Sequence, residues 1–79
     1  MTIKILYYAI LCEQAGRAEE SRPTNAATVG ELYAELAHAY PFTLPLKSLR
    51  AAVNGAFVAM NTGLHNNDEV TFIPPVAGG

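Results

Sequence analysis

From Thr2 to Ile10 the chain is almost wholly β-branched, aromatic or aliphatic, which at so short a length favours a strand over a helix. Lys4 is the one charge in that run. Side chains alternate faces along a strand, so Lys4, Leu6 and Tyr8 are expected to point outward and Ile3, Ile5, Tyr7 and Ala9 inward. Residues 13–27 are polar and broken by Gly16 and Pro23, and a second strand near Ala18 to Arg22 is as much as they predict.

The helical signal begins at Thr28. Thr28-Val29-Gly30-Glu31 reads as a capping box, in which hydroxyl and carboxylate satisfy orphan amides reciprocally. Val29, Leu32, Tyr33, Leu36 and Tyr40 then recur on one face of a 3.6-residue period, with Glu31, Glu35 and His38 elsewhere, and Pro41 ends the helix. Tyr33 and Tyr40 are therefore expected in the core. Residues 42–50 keep no period and contain Pro45, which predicts a loop with a short turn.

Asn54-Gly55 separates Ala51-Ala52-Val53 from Ala56-Phe57-Val58-Ala59, and this dipeptide accepts positive φ at both centres of a tight hairpin. Asn66-Asn67-Asp68 forms another turn before a strand from Glu69 to Ile73, where Val70 and Phe72 face inward and Thr71 and Ile73 outward. The order β, weak β, α, β, β, β predicts an α+β domain over residues 1–73, a mixed sheet packed on one main helix. Residues 74–79 follow as an extended tail.

Composition narrows the function. At 79 residues, a single domain buries about 60% of the surface of its unfolded chain, so 51% hydrophobic content leaves apolar material to face a partner. Seven acids against five scattered bases give a net charge of −2, and no nucleic-acid partner is expected. No stretch reaches the roughly 18 to 20 apolar residues of a membrane span, and Met-Thr-Ile-Lys leads into a strand instead of a signal peptide. Neither a membrane partner nor export is expected, which places the chain in the cytoplasm. Cys12 is the one cysteine and reads as a reduced thiol. His38 and His65 have no companion ligands, so no metal is expected, and Asp68-Glu69 point to opposite faces of a strand instead of forming an acid pair.

The end of the chain carries the chemistry. Pro74 and Pro75 cannot donate to a sheet ladder, and Val76, Ala77, Gly78 and Gly79 lose side-chain bulk step by step, a shape able to enter a narrow channel. Fully extended, these six residues reach about 20 Å. The run from Asn67 to Gly79, Asn-Asp-Glu-Val-Thr-Phe-Ile-Pro-Pro-Val-Ala-Gly-Gly, resembles the ending Gly-Asp-Glu-Val-x-Phe-Phe-Pro-Pro-Val-x-Gly-Gly of the small subunits of molybdopterin synthase, the MoaD-type branch of the ubiquitin-like β-grasp proteins. Ala51-Ala52-Val53-Asn54 matches a second stretch of that family. The chain departs from it at Asn67, where glycine is usual, at Cys12-Glu13, which lacks an arginine before the glutamate, and at Ile73, where an aromatic is frequent.

The resemblance implies a ubiquitin-like β-grasp fold and a sulfur carrier. A ubiquitin-activating-like adenylyltransferase would use ATP to adenylate Gly79, sulfur would replace AMP to give a thiocarboxylate, and the synthase large subunit would direct that sulfur to the pyranopterin precursor of the molybdenum cofactor. It further implies no cofactor bound by the chain itself, an assembly of two small and two large subunits, and a docking patch of Tyr8, Phe57 and Ile73 beside the root of the tail. Two alternatives stand beside this one. The same Gly79 chemistry could serve thiamine, cysteine or tRNA thiolation or protein modification, and a β-grasp interaction module would never be activated at all.

Overall fold

The computed structural model describes residues 1–75 of the 79. Strand β1 (Thr2–Tyr7) leads into a short helix α1 (Ile10–Ala15), then strand β2 (Glu19–Pro23), the main helix α2 (Val29–Ala39), a 3-10 turn (Leu46–Ser48), and strands β3 (Arg50–Val53), β4 (Ala56–Val58) and β5 (Glu69–Ile73). The five strands form one sheet in the order β2-β1-β5-β3-β4, in which β1 and β5 are parallel and the other neighbours antiparallel. One face of it carries the core. Ile3, Ile5, Val70 and Phe72 are fully buried with Val29, Leu32 and Leu36 of α2. This is the β-grasp arrangement that the resemblance implies.

Local chemistry explains the elements the sequence announces. Thr28 caps α2 by accepting from the Glu31 amide at 3.2 Å, but its hydroxyl also donates to the Glu31 carboxylate, so the reciprocal half of the box closes on a side chain. The amides of Val29 and Gly30 donate instead to the carbonyls of Thr62 and Met60, 3.1 and 2.8 Å away, which ties the helix to the segment after β4. At the other end Tyr40 is extended before Pro41, as a residue preceding proline prefers. Asn54 and Gly55 take φ of 52° and 87°, the hairpin geometry that Asn-Gly favours. Asn54 does more than turn the chain. Its side chain accepts from the Glu69 amide at 2.9 Å and donates to Asp68 at 2.9 Å, clasping the hairpin to the start of β5.

Four expectations about the placement of elements need correction. Strand β1 ends at Tyr7 and not at Ile10, because Ala9 adopts φ 51° and turns the chain into α1, so Ala9 is exposed instead of inward. The helix α1 itself lies partly in the stretch read as polar and broken; Leu11 buries its inner face, and Gly16, at φ 75°, closes it by donating to the Cys12 carbonyl. Strand β2 runs Glu19–Pro23, one residue later than expected, and Ala59 falls outside β4.

Charge fixes β2 against the rest. The Glu20 side chain is only 9% exposed, yet its carboxylate accepts from the Tyr7 and Tyr40 hydroxyls and from Arg17. Arg22 of the same strand donates to Glu35 of α2 at 2.6 Å, and Thr24 donates to the other oxygen of that carboxylate. The Thr24 hydroxyl and Arg22 hold the Glu35 carboxyl below its ordinary pKa, a contribution to stability present above the usual carboxylate range and lost as pH falls through the lowered value. Burial and then Glu20 push the Tyr7 hydroxyl well above the ordinary tyrosine value, and Tyr40 shifts the same way. Raised tyrosines keep their protons better in the fold than in the unfolded chain, so their contribution is complete below about pH 10 and is progressively lost as pH climbs beyond it. Urea unfolding should therefore give a flat stability near neutrality that declines from about pH 10 upward, and Tyr7→Phe should make that alkaline decline shallower.

Candidate functional site

Aromatic packing positions the wall of the site. Tyr33 of α2 stacks on Phe42 at 5.6 Å between centroids and donates its hydroxyl to the Leu44 carbonyl at 2.7 Å, which fixes the loop after α2 against the sheet end. Leu44 thereby joins Tyr8, Ala9 and Ile10 from the turn after β1, and Ile73, Pro74 and Pro75 from the end of β5, around an open apolar groove of about 580 Å³. The chain leaves the sheet at that groove. Because β1 and β5 are parallel neighbours with Tyr7 opposite Phe72, Tyr8 and Ile73 emerge side by side at one end of the sheet.

The outer sheet face continues from there. Leu6 lies opposite Thr71, Thr71 opposite Ala52, and Ala52 opposite Phe57, so these four share one row across β1, β5, β3 and β4. Three strand spacings put Phe57 about 14 Å from Leu6. Tyr8 is 53% and Phe57 67% exposed, well above what large apolar side chains in a core show. Of the three residues expected to form a patch, the structure brings Tyr8 and Ile73 together at the groove and sets Phe57 across the face from them, beside Arg50. Val76, Ala77, Gly78 and Gly79 lie outside the described residues; Pro74 and Pro75 are described and line the groove.

Sequence reasoning missed Ala9, Ile10 and Leu44 as parts of this surface. Only the positive φ of Ala9 turns Ile10 toward the tail root, and no glycine marked that turn. Arg50 was also missed. It pairs with Ile73 in the ladder and lies 6.0 Å from the Phe57 ring centroid, a relation visible only once β3 is known to sit between β5 and β4.

The site offers shape and apolar surface: apart from the Tyr8 hydroxyl, its described lining carries no polar side chain. Among the described residues no three His, Cys, Asp or Glu side chains come together to hold a metal, and no helix is long and apolar enough to cross a membrane. Cys12 is half-buried and packs against the core, and His38 and His65 are exposed. His65 lies 3.8 Å from Asp68, whose carboxyl is held below its usual pKa by the His65 amide and then by Asn54.

Comparison with known proteins fits this geometry. The chain is 35% identical over 81 residues to the molybdopterin synthase sulfur carrier subunit of Mycobacterium tuberculosis, covering 98% of this chain and 96% of the relative. It is 34% identical over 80 residues to the protein of the same name from Escherichia coli, covering 98% and 99%. Among solved structures, SAMP1 from Haloferax volcanii superposes with a TM-score of 0.82 at 26% identity, covering all of both chains. Residues 5–79 match the ThiS family, nearly the whole length including the Gly-Gly end, and with the β-grasp sheet, the groove and the proline exit in place, the chain belongs to the ThiS family.

Proposed function

We infer that this chain is the sulfur carrier of a molybdopterin synthase, and that its carrying atom is on the carboxyl carbon of Gly79. The observation that carries this reading is full-length likeness to two sulfur carrier subunits, joined to a domain whose last strand is followed by two prolines beside an exposed apolar groove. A carboxylate is a poor electrophile and gives up oxygen reluctantly. An adenylyltransferase partner joins Gly79 to AMP at the expense of ATP, releasing pyrophosphate; hydrosulfide from a sulfur source then attacks the acyl carbon, and AMP departs with the acyl oxygen bond broken, leaving the thiocarboxylate and a proton.

That sulfur is a soft nucleophile held on a tether. In the synthase it forms a carbon–sulfur bond to the pyranopterin precursor as an oxygen substituent leaves that carbon, after which water cleaves the acyl–sulfur bond and returns the Gly79 carboxylate. Two such deliveries supply both sulfurs of a dithiolene. The tail residues Val76, Ala77 and Gly78 provide narrowness and Pro74 and Pro75 direction, so the domain contributes reach and a docking face while its partners contribute acid, base and phosphate-binding groups. Tyr8, Phe57 and Ile73 form that face toward the large subunit.

Reconstitution tests both parts. The thiocarboxylated chain mixed with a molybdopterin synthase large subunit and the pyranopterin precursor should yield the dithiolene product, and alanine at Tyr8, Phe57 and Ile73 together should weaken binding to the large subunit by about 30-fold or more while the thermal melt stays cooperative. Unchanged binding in a folded triple variant removes the docking face. Sulfur delivery to a tRNA or a thiamine precursor, with none to the pterin, moves the chain to another acceptor.

A further inference from the structure

We propose that Arg50 and Phe57 form a cationic contact on the docking face, and that the large subunit meets it with a carboxylate flanked by an aliphatic side chain. The inference rests on the carrier reading and adds to it the chemistry of the partner's surface. Arg50 opens β3 opposite Ile73, so its side chain stands between the tail root and Phe57. Its guanidinium carbon is 6.0 Å from the Phe57 ring centroid, within the range of a cation held over an aromatic face. Both residues are exposed.

Among the described residues Lys4, Arg17 and Arg22 are each in ion pairs, while Arg50 and Lys47 pair with no acid, in a chain of net charge −2. Of those two, Arg50 is the one that lies over an aromatic ring. A guanidinium resting on a ring keeps its N–H edge free and loses less freedom when a carboxylate arrives, which suits a bidentate acceptor. Beside it is a hollow of about 270 Å³ bounded by Leu49, Ala51, Phe57, Val58 and Met60, where an aliphatic side chain next to that carboxylate would be received. Extended, residues 74–79 span about 20 Å, so a cation at the root meets the partner's surface instead of the reacting acyl group.

The test measures affinity of the full chain for the large subunit from the same organism, at low and high salt, for wild type, Arg50→Gln, Arg50→Glu, Phe57→Ala, Tyr8→Ala and, as a charge control, Lys47→Glu. With thermal melts matching wild type, Arg50→Glu should weaken binding at least about tenfold at low salt, Arg50→Gln less, and Lys47→Glu by under about threefold. Reversing one surface Asp or Glu of the large subunit should restore binding to Arg50→Glu. Wild-type affinity in Arg50→Glu while Phe57→Ala or Tyr8→Ala binds weakly overturns the cationic contact and leaves the carrier reading standing, as does failure of every carboxylate reversal to rescue. Loss of affinity in none of the variants overturns the docking face along with it.

Discussion

Deletion of Gly79 is expected to leave a folded domain that no longer delivers sulfur. The core assembles from residues between Ile3 and Phe72, all upstream of the tail, so the melting temperature and the unfolding slope in urea should match wild type. The chemistry has no such tolerance. Removing one extended residue shortens the reach by about 3.5 Å, and a misplacement near 1 Å at a reacting centre already costs about 100-fold. Product formation in the reconstituted synthase should therefore drop by more than about 100-fold, and adding back free glycine should restore nothing. A deletion variant that still forms product at a tenth of the wild-type rate would mean that another atom carries the sulfur.

Phe72→Ala is expected to be the most damaging single change in the core. Phe72 is fully buried on β5, its ring centroid 5.2 Å from that of Tyr33, and it shares a row with Tyr7 and Ala51 in the sheet centre. Truncating a buried phenylalanine to alanine costs about 3 to 5 kcal/mol, because a cavity remains where the ring was. A domain of this length is stable by about 4 to 12 kcal/mol on a per-residue scale, so the variant should be partly unfolded or close to it. Urea denaturation would read this as a midpoint displaced to low denaturant, with Phe72→Leu losing much less. Ile73, the next residue, is half-buried on the opposite face, and its alanine variant should unfold at nearly the wild-type midpoint while losing partner affinity. The contrast between neighbours separates the face that holds the fold from the face that docks.

Much of the fold was legible because its strongest signals are local. Lys4 marks the outer face of β1, the Thr28 cap and the stripe from Val29 to Tyr40 define α2, and Asn54-Gly55 requires a hairpin whatever surrounds it. Helix α1 escaped because six residues carry less than two turns of period, and its first apolar residues, Ile10 and Leu11, continue the composition of β1 without a break. Gly16 at a helix end, with Leu11 and Ala15 four apart, was the signal that could have found it. The register of β2 was hidden for a different reason. It depends on Glu20 reaching Tyr7 and Tyr40 and on Arg22 reaching Glu35, partners that only the packed fold brings together.

The site divides in the same way. Tyr8, Phe57 and Ile73 could be assigned outward from parity and resemblance, but the groove is assembled from the turn after β1, the loop at Leu44 and the end of β5, and loops carry no period from which their meeting could be read. Arg50 beside Phe57 likewise follows from strand order, which the sequence leaves open. The tail was the reverse case: its chemistry stands in the residues themselves, with the family match running through to residue 79.

Intact mass after incubation with ATP, the activating enzyme and a sulfur source tests the carrier directly. The predicted result is a gain equal to one oxygen exchanged for sulfur, located at Gly79 by fragmentation and absent when that carboxyl is blocked as an amide. An unchanged mass, or sulfur added at Cys12 in its place, would contradict it.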